Sequence, residues 1–193
     1  MKTYHLIVKS YSNIAAFKTA QSKKLFLQLL NKTANKYGYV LHAFVVMDTH
    51  AHLLISAKGN KISPFTRTLL SRYTRLYNKL YSRSGLLFHH SSILYWKQYD
   101  SWKIDSILYI LNNPIEARIC SHHKDYYFSS YKLHTKQKTT LSELIQIDNS
   151  LIEHNFNDIR AFKAALQEKL KYQKSIAHIK YRPDRKIINE QTL

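Results

Sequence analysis

Two histidines separated by one residue stand at the head of a hydrophobic run, with a spacing suited to metal binding. His50 and His52 enclose Ala51 and are followed by leucine and isoleucine, a composition that favours a β-strand. Side chains two residues apart on a strand point to the same side, so both imidazoles project from one face. Two imidazoles so placed can bind one divalent metal ion. Because the chain has 11 histidines, the pair is also compatible with two ordinary histidines at a partly solvated strand end.

A tyrosine and an asparagine four residues apart provide a second chemical element. Tyr109 and Asn113 lie at the end of a helix predicted over residues 103–112, where side chains at this spacing are neighbours. Pro114 disfavours helical geometry at the residue before it, so the helix is predicted to stop there. Asn113 offers an amide oxygen as a third metal ligand, and Tyr109 offers a nucleophilic hydroxyl. The alternative is an ordinary core tyrosine, unless this helix packs beside the histidine strand.

The composition indicates a folded, strongly basic chain. Of its 193 residues 45% are hydrophobic, and 30 Lys and Arg against 12 Asp and Glu give a formal net charge of +18. A folded chain with this charge typically binds a polyanion, which leaves DNA, RNA or an anionic membrane surface. No apolar run reaches the roughly 18 residues that a bilayer span needs. The single cysteine excludes an intrachain disulfide, and with the absence of a signal-peptide pattern it favours a cytosolic protein.

The hydrophobic periodicity predicts an α+β fold. Strands and helices alternate in the order β-α-β-β-α-β, which is typical of a ferredoxin-like antiparallel sheet with helices on one face. The predicted strands cover residues 4–9, 39–47, 51–57 and 91–98, and the predicted helices cover residues 18–36, 63–82 and 103–112. A polar run at residues 134–140 is the best linker candidate, so we expect a domain over residues 1–133 and a basic helical C-terminal extension over residues 134–193. Two helices are predicted between residues 141 and 174, the second capped by Asn157 or Asp158.

The second long helix carries a basic stripe. No acidic residue occurs between positions 61 and 83, and four cations fall on one narrow arc. This pattern favours a phosphate-binding ridge over a merely solvated helix face; its members are Arg72, Arg75, Lys79 and Arg83. Three aromatic residues are candidates for stacking on unpaired bases, with the second expected in the core: Tyr95, Trp96 and Trp102.

Five segments in order resemble the REP-associated tyrosine transposases, a group of HUH single-strand DNA endonucleases. Residues 4–8 are similar to the first strand of that family, and residues 47–55 to its H-U-H strand, in which U is apolar. Residues 85–88 resemble its G-x-x-[FW] motif, residues 109–118 its Y-I-x-x-N-P-V-x-A helix, and residues 126–131 its W-x-x-S-S-Y motif. The match covers roughly residues 3–133.

The resemblance implies an enzyme of DNA recombination and transposition. Tyr109 would attack a phosphate of single-stranded DNA, forming a 5′-phosphotyrosine intermediate and a free 3′-OH that permits strand transfer. His50, His52 and Asn113 would hold Mg²⁺ or Mn²⁺, and the basic ridge would hold the backbone of a hairpin formed by a palindromic repeat. The implied location is the bacterial cytosol or nucleoid, with no membrane association, and a monomer is expected with a dimer as the alternative. The competing hypotheses are a non-catalytic nucleic-acid-binding protein on the same fold and an RNA-binding protein that uses exposed aromatics on the central strands.

Overall fold

The sheet consists of four antiparallel strands, and in three of them side chains on both faces are buried. The computed structural model describes residues 1–59, 62–88 and 93–180, and the first two predicted residues of the last strand, 91 and 92, lie outside the described residues. The strands are β1 (Lys2–Lys9), β2 (Val40–Val46), β3 (His50–Ala57) and β4 (Ile93–Lys97), in the spatial order β2-β3-β1-β4. This order and the chain order of the elements confirm the predicted ferredoxin-like arrangement.

One face of the sheet is covered by the two helices of the ferredoxin-like unit, α1 (Ala20–Tyr37) and α2 (Ile62–Leu80). Alternate residues of the two central strands form the core with these helices, among them Leu6 on β1 and Leu53 on β3. Helix α1 begins at a capping box around Thr19. It ends at Gly38, whose φ of 63° is the left-handed conformation that glycine adopts readily.

The opposite face of the sheet is covered by a third helix, α3 (Asp100–Glu116). Ile107 and Leu111 on this helix share a buried cluster with Val45 of β2 and Leu54 of β3. Burial on both faces explains why β2 and β3 are almost continuously apolar rather than alternating. The side chains that β1 and β3 direct away from α1 and α2 are therefore enclosed beneath α3.

The predicted end of α3 at Asn113 is wrong, because the helix continues through Pro114 to Glu116. A proline in the last turn removes only one hydrogen bond from the helical ladder. The end of the helix is closed by other bonds, from Ala117 N to Asn113 O (2.9 Å) and from Ile119 N to Pro114 O (2.9 Å). Pro114 itself is buried, so packing of the last turn outweighs the local preference of the residue before proline.

The C-terminal part is helical, as predicted, but contains more helices than expected. It comprises α4 (Tyr131–His134), α5 (Leu141–Leu144), α6 (Ser150–Asn155) and α7 (Ile159–Lys180), and two short 3₁₀ turns elsewhere cover Tyr11–Asn13 and His123–Asp125. The prediction of two helices is wrong because residues 145–149 separate α5 from α6: Ile145 is extended, and Asp148 N donates to Leu41 O of β2 at 2.8 Å. Asp158 caps α7, accepting from Arg160 N and Ala161 N at 2.8 Å each. Residues 181–193 lie outside the described residues.

The two edges of the sheet differ in their cover. Residues 128–130 run along the outer edge of β2, with Val46 N donating to Phe128 O and Ser130 N to Phe44 O at 2.9 Å each. Strand β4 forms the other edge and is largely exposed. Trp96 is 51% exposed, so its expected core role is wrong. A groove of about 750 Å³ lies between α2 and this edge of the sheet, and the helix therefore does not cover the outermost strand fully.

No helix among the described residues is long and apolar enough to cross a bilayer. This finding agrees with the absence of a long apolar run in the sequence.

Acid should destabilise the fold through buried histidines such as His134. Its Nδ1 lies 2.6 Å from Asn149 Oδ1 and its Nε2 lies 3.0 Å from Ser130 Oγ, and burial lowers its pKa from 6.5 to about 4. The unfolded chain thus binds a proton between these values when the folded chain does not, so stability falls as pH falls through this window. We expect a loss of roughly 2 kcal/mol from His134 alone between pH 7.5 and pH 5.

The measurement is urea unfolding at both pH values for the wild type and His134→Gln. The variant, which does not titrate, should lose roughly 2 kcal/mol less on acidification than the wild type. His154→Gln on the exposed side of α6 is the matched control and should keep the wild-type difference. Equal acid sensitivity of wild type and His134→Gln would contradict the prediction.

Candidate active site

The histidine pair lies at the start of β3, next to the turn that connects it to β2. Met47 N donates to His50 O at 2.8 Å, which closes the tight connection from β2 and starts the strand. Ala51 between the histidines is fully buried in the core beneath α1 and α2, so both imidazoles project to the side of α3. The 5.1 Å separation of their ring centroids is the geometry that the alternation predicts.

Helix α3 places Tyr109 directly beside this pair. The ring centroid of Tyr109 lies 5.7 Å from that of His52 and 5.8 Å from that of His5 on β1. Asn113 lies one turn further along the same face and is 9% exposed. Its Nδ2 donates to Tyr109 O at 2.8 Å, which fixes the amide against the helix. The amide oxygen of Asn113 takes no part in that bond. The structure thus packs the tyrosine helix beside the histidine strand.

Each imidazole of the pair is held through Nδ1. His50 Nδ1 lies 3.1 Å from Thr49 Oγ1, and His52 Nδ1 lies 3.0 Å from His5 Nε2. Burial lowers the pKa of His52 to about 3 and that of His5 to about 4, and burial with the nearby Lys9 lowers the pKa of His50. These rings are therefore neutral at pH 7, and neutral imidazole is the form that binds metals. The Nε2 atoms of His50 and His52 are the ones that can bind a cation.

These donors fit a divalent cation. Within the part of the chain that the structure describes, no three His, Cys, Asp or Glu side chains converge, so a third protein ligand of a cation bound here would have to come from another residue type. The amide oxygen of Asn113 is such a donor, and carbonyl oxygens and imidazoles together suit ions such as Mn²⁺. A set of three neutral ligands leaves the full charge of the ion available to a phosphate.

The surroundings of Tyr109 oppose its ionisation. Burial, Glu116 and Tyr95 raise the pKa of the phenol, in that order, so the hydroxyl is protonated near neutral pH. Two lysines contribute positive charge on the same side of the sheet. Lys9 pairs with His50 in the strand register, and Lys97 on β4 is close enough to lower the pKa of His5.

Sequence reasoning missed His5, Lys9 and Lys97 as members of this site. The period of two along β1 places Lys9 on the same face as His5, which is a signal that the sequence contains. The pairing of β1 between β3 and β4 is what brings these residues to the histidine pair. That pairing joins residues far apart in the sequence, such as Lys9 with His50 and Thr3 with Lys97, and is fixed only by the assembled sheet.

A buried polar network attaches α3 to the C-terminal helix. Asn112, which is fully buried, accepts from His123 Nε2 at 2.6 Å. Its Nδ2 donates to Gln173 Oε1 at 2.9 Å and to Leu166 O at 3.1 Å, both on α7. Asn112, the residue next to Asn113, therefore holds α3 against α7.

The four residues of the predicted basic ridge do not remain together on α2. Arg75 and Lys79 are exposed and Arg72 is partly buried on the helix. Arg83 lies beyond the helix end at Leu80, where its guanidinium donates to Asn78 Oδ1 at 3.1 Å and to Leu86 O at 2.8 Å. Arg67, which the sequence analysis did not select, lines the groove beside β4 together with Arg75.

The basic helix and the histidine pair lie on opposite faces of the sheet but at the same end. Near the end of α2, Tyr81 Oη lies 2.6 Å from Thr19 Oγ1. Phe17 N in turn donates to Asp48 O at 2.9 Å, in the turn just before His50.

The fold and the site define a transposase-type domain, in which an α+β sheet presents a histidine pair to a tyrosine helix. Residues 2–111 match the family model described as "Transposase IS200 like". Since this segment is more than half of the chain, the chain belongs to the IS200-like transposase family. The protein is thus a DNA-processing enzyme at the level of its family, and such transposases generally use a divalent metal.

A solved structure with a TM-score of 0.61 confirms the fold. The chain is similar to a REP-associated tyrosine transposase bound to a REP hairpin, with 15% identity, a TM-score of 0.61 and coverage of 76% of this chain and 84% of that chain. It also matches a putative transposase from Deinococcus radiodurans R1 with 20% identity, a TM-score of 0.45 and coverage of 62% and 89%. No curated protein matches the sequence. The resemblance to tyrosine transposases that the motifs predicted is therefore confirmed.

Loss of the Asn112 network should destabilise the protein. Asn112→Leu would leave His123 and Gln173 without their buried partner, and each buried unsatisfied group costs roughly 1–3 kcal/mol. We expect a loss of about 2–4 kcal/mol in the free energy of unfolding, measured by urea denaturation. Asn155→Leu is the matched control, because the amide of Asn155 bonds Leu151 O at an exposed site; it should cost well under half as much. Equal losses in the two variants would show that the network does not stabilise the docking of α3.

Proposed function

We propose that this protein nicks and rejoins single-stranded DNA at hairpin-forming repeats, through a metal-dependent reaction with Tyr109 as the nucleophile. The observation that carries the proposal is the 5.7 Å contact between the rings of Tyr109 and His52. It joins the only two chemical elements that the reaction needs from separate parts of the chain, a nucleophile on α3 and imidazole ligands on β3.

The metal would be held by His50, His52 and Asn113. Their available donors are two Nε2 atoms and one amide oxygen, and all three belong to elements that pack together. A bound Mg²⁺ or Mn²⁺ would polarise the scissile phosphate and stabilise the charge that develops on its oxygens. Because imidazole is a better ligand for Mn²⁺ than for Mg²⁺, Mn²⁺ is the more suitable probe.

The tyrosine hydroxyl would attack the phosphorus of the scissile phosphodiester. Tyr109 loses its proton as its oxygen bonds to phosphorus, and the bond from phosphorus to the 3′ oxygen breaks. The departing 3′ oxygen takes up a proton, which leaves a free 3′-OH and a 5′-phosphotyrosine. Attack of another 3′-OH on this ester restores Tyr109 and joins the strand to a new end. Because burial raises the pKa of Tyr109, the positive charge of the proposed metal would also have to favour the phenolate.

The DNA would reach the site around the end of the sheet where both faces meet. Arg75 and Lys79 on α2 would contact phosphates of the hairpin backbone, and the release of counterions from the DNA would favour this binding. Tyr95 lies 6.2 Å from His5 between ring centroids and is 47% exposed. Its ring is therefore available to stack on an unpaired base next to the scissile phosphate, as is the ring of Trp102 on α3, which is 50% exposed.

The partner and the assembly follow from the same arrangement. A hairpin is the ligand bound by the similar REP-associated transposase, and the net charge of +18 suits a polyanion. One chain supplies Tyr109, His50, His52 and Asn113, which supports a monomer that works on chromosomal DNA in the bacterial cytosol or nucleoid. The expected division at residue 133 remains a proposal, with residues 134–193 as an extension that supports the catalytic helix.

The RNA-binding hypothesis is not favoured by the sheet. It requires exposed aromatics on the two central strands, but the face of β1 and β3 that α1 and α2 leave uncovered lies beneath α3 and carries buried His5 and His52. The non-catalytic DNA-binding hypothesis remains the alternative outcome of the experiments below.

Tyr109→Phe should abolish covalent attachment to DNA, because it removes the attacking oxygen while keeping the ring. The assay incubates protein with labelled single-stranded hairpin DNA from repeats flanking the gene and Mn²⁺ or Mg²⁺, and separates adducts on a denaturing protein gel. We expect an adduct with the wild type and none with Tyr109→Phe, while the affinity for DNA changes less than about twofold because the phenyl ring keeps the packing.

Tyr172→Phe provides the control, since this exposed tyrosine on α7 lies outside the proposed site; it should form the wild-type amount of adduct. An adduct that persists in Tyr109→Phe would assign the nucleophile to another residue. Tight binding without adduct formation by the wild type, with either metal, would favour the non-catalytic alternative.

Neutralising the exposed cations of α2 should weaken DNA binding in a salt-dependent manner. For Arg75→Gln combined with Lys79→Gln, the slope of log K against log salt should become less steep by about 0.7–0.9 for each phosphate that the variant no longer neutralises. The double variant Lys36→Gln and Lys58→Gln removes the same charge from the other end of the sheet and should keep the wild-type slope. The binding surface would lie elsewhere if both double variants changed the slope equally.

A further inference from the structure

His5 occupies a position directly behind one of the proposed metal ligands. It lies on β1, is 5% exposed and projects to the same side of the sheet as the histidine pair. Its Nε2 lies 3.0 Å from His52 Nδ1, and the two ring centroids are 5.2 Å apart. No motif in the sequence analysis gives this histidine a role.

A hydrogen bond between two neutral imidazoles fixes which nitrogen of each ring carries the proton. Only one of the two atoms in this contact can donate. If His52 is to bind a cation through Nε2, that nitrogen must be unprotonated, and the proton of the neutral ring must be on Nδ1. His5 Nε2 then has to accept this proton, which places the proton of His5 on its own Nδ1.

The geometry separates His5 from the ligands themselves. Among the described residues, no three His, Cys, Asp or Glu side chains converge on one point, so His5 does not complete a three-histidine centre with His50 and His52. His5 Nε2 instead contacts Nδ1 of His52. This contact is on the side of the His52 ring away from the nitrogen that would bind the metal. Partners of this kind orient metal-binding histidines and raise their basicity.

We infer that His5 is a positioning residue that accepts the Nδ1 proton of His52 and thereby presents Nε2 of His52 to the metal. Thr49 Oγ1 contacts Nδ1 of His50 in the same way at 3.1 Å, so both ligands are held through their Nδ1 atoms. The hydrogen bond of His5 fixes both the rotation and the tautomer of His52. This inference rests on the metal site proposed above and adds a residue to its support.

The first test measures Mn²⁺ binding to the whole protein by the electron paramagnetic resonance signal of free Mn²⁺. His5→Leu keeps an apolar buried side chain but has no acceptor, and the dissociation constant should rise about 10–100-fold, as for other partners of metal-binding histidines. His5→Gln can accept through Oε1 and should restore most of the affinity. His42→Leu is the matched control, because it also removes a buried histidine whose Nε2 bonds a side chain, Ser56 Oγ at 2.7 Å, and should keep the wild-type affinity.

The second test reads the tautomer of His52 without any metal. Nuclear magnetic resonance of the protein labelled with ¹⁵N-histidine, assigned with His52→Gln, should show a protonated Nδ1 and an unprotonated Nε2 in the wild type. His5→Leu should shift His52 toward the tautomer protonated at Nε2, whereas His42→Leu should leave it unchanged. A merely structural role for His5 would not move this signal.

The outcomes separate this inference from the proposed function. An unchanged affinity and tautomer in His5→Leu, or a wild-type His52 protonated at Nε2, would overturn the role of His5 while the metal site stands. Three imidazoles on Mn²⁺, counted by electron spin-echo modulation, would make His5 a ligand and would also overturn it. If the wild type binds no Mn²⁺, the metal site itself fails, and the role of His5 in presenting His52 to a metal is overturned with it, whatever the tautomer of His52.

Discussion

The burial of both faces of the four-stranded sheet is the constraint on which the site depends. Helices α1 and α2 take one face, so the polar side chains that β1 and β3 send to the other side would lie in water without a further cover. Helix α3 supplies that cover, and its apolar residues Ile107 and Leu111 pack on β2 and β3. The docked helix also brings the ring of Tyr109 to 5.7 Å from that of His52 on β3, and Asn113 follows one turn further along the helix.

Desolvation then sets the protonation state of the site. Burial is the main cause that lowers the pKa of His5 and His52, and the nearby Lys97 adds to this effect at His5. The same burial raises the pKa of Tyr109 and keeps the phenol protonated. One buried environment thus keeps the imidazoles neutral and the phenol protonated, so the reaction proposed above would need positive charge beside Tyr109.

The sequence predicts well which residues are neighbours within one strand or helix, and poorly which residues meet between different elements. The faces of His50 and His52 follow from the period of two in a strand, and the neighbourhood of Tyr109 and Asn113 follows from the period of a helix. The motif order gives the family. The passage of α3 through Pro114 could not be read from the chain, since tertiary packing of the last turn outweighs a local preference. The exposure of Trp96 depends on β4 being an edge strand, and the contact of His5 with His52, 47 residues further along the chain, depends on the register between β1 and β3.

The C-terminal helix α7 contributes to the same placement of α3 on the sheet. Helix α3 lies between the sheet and α7, and Asn112 makes hydrogen bonds to α7 one residue before Asn113. A buried amide with all its partners in place favours one orientation of the helix, because any rotation would leave buried polar atoms without partners. An apolar residue at this position would pack without such a preference. The network therefore stabilises the particular rotation of α3 at which the ring of Tyr109 lies beside that of His52, and this couples the C-terminal helix to the position of Tyr109.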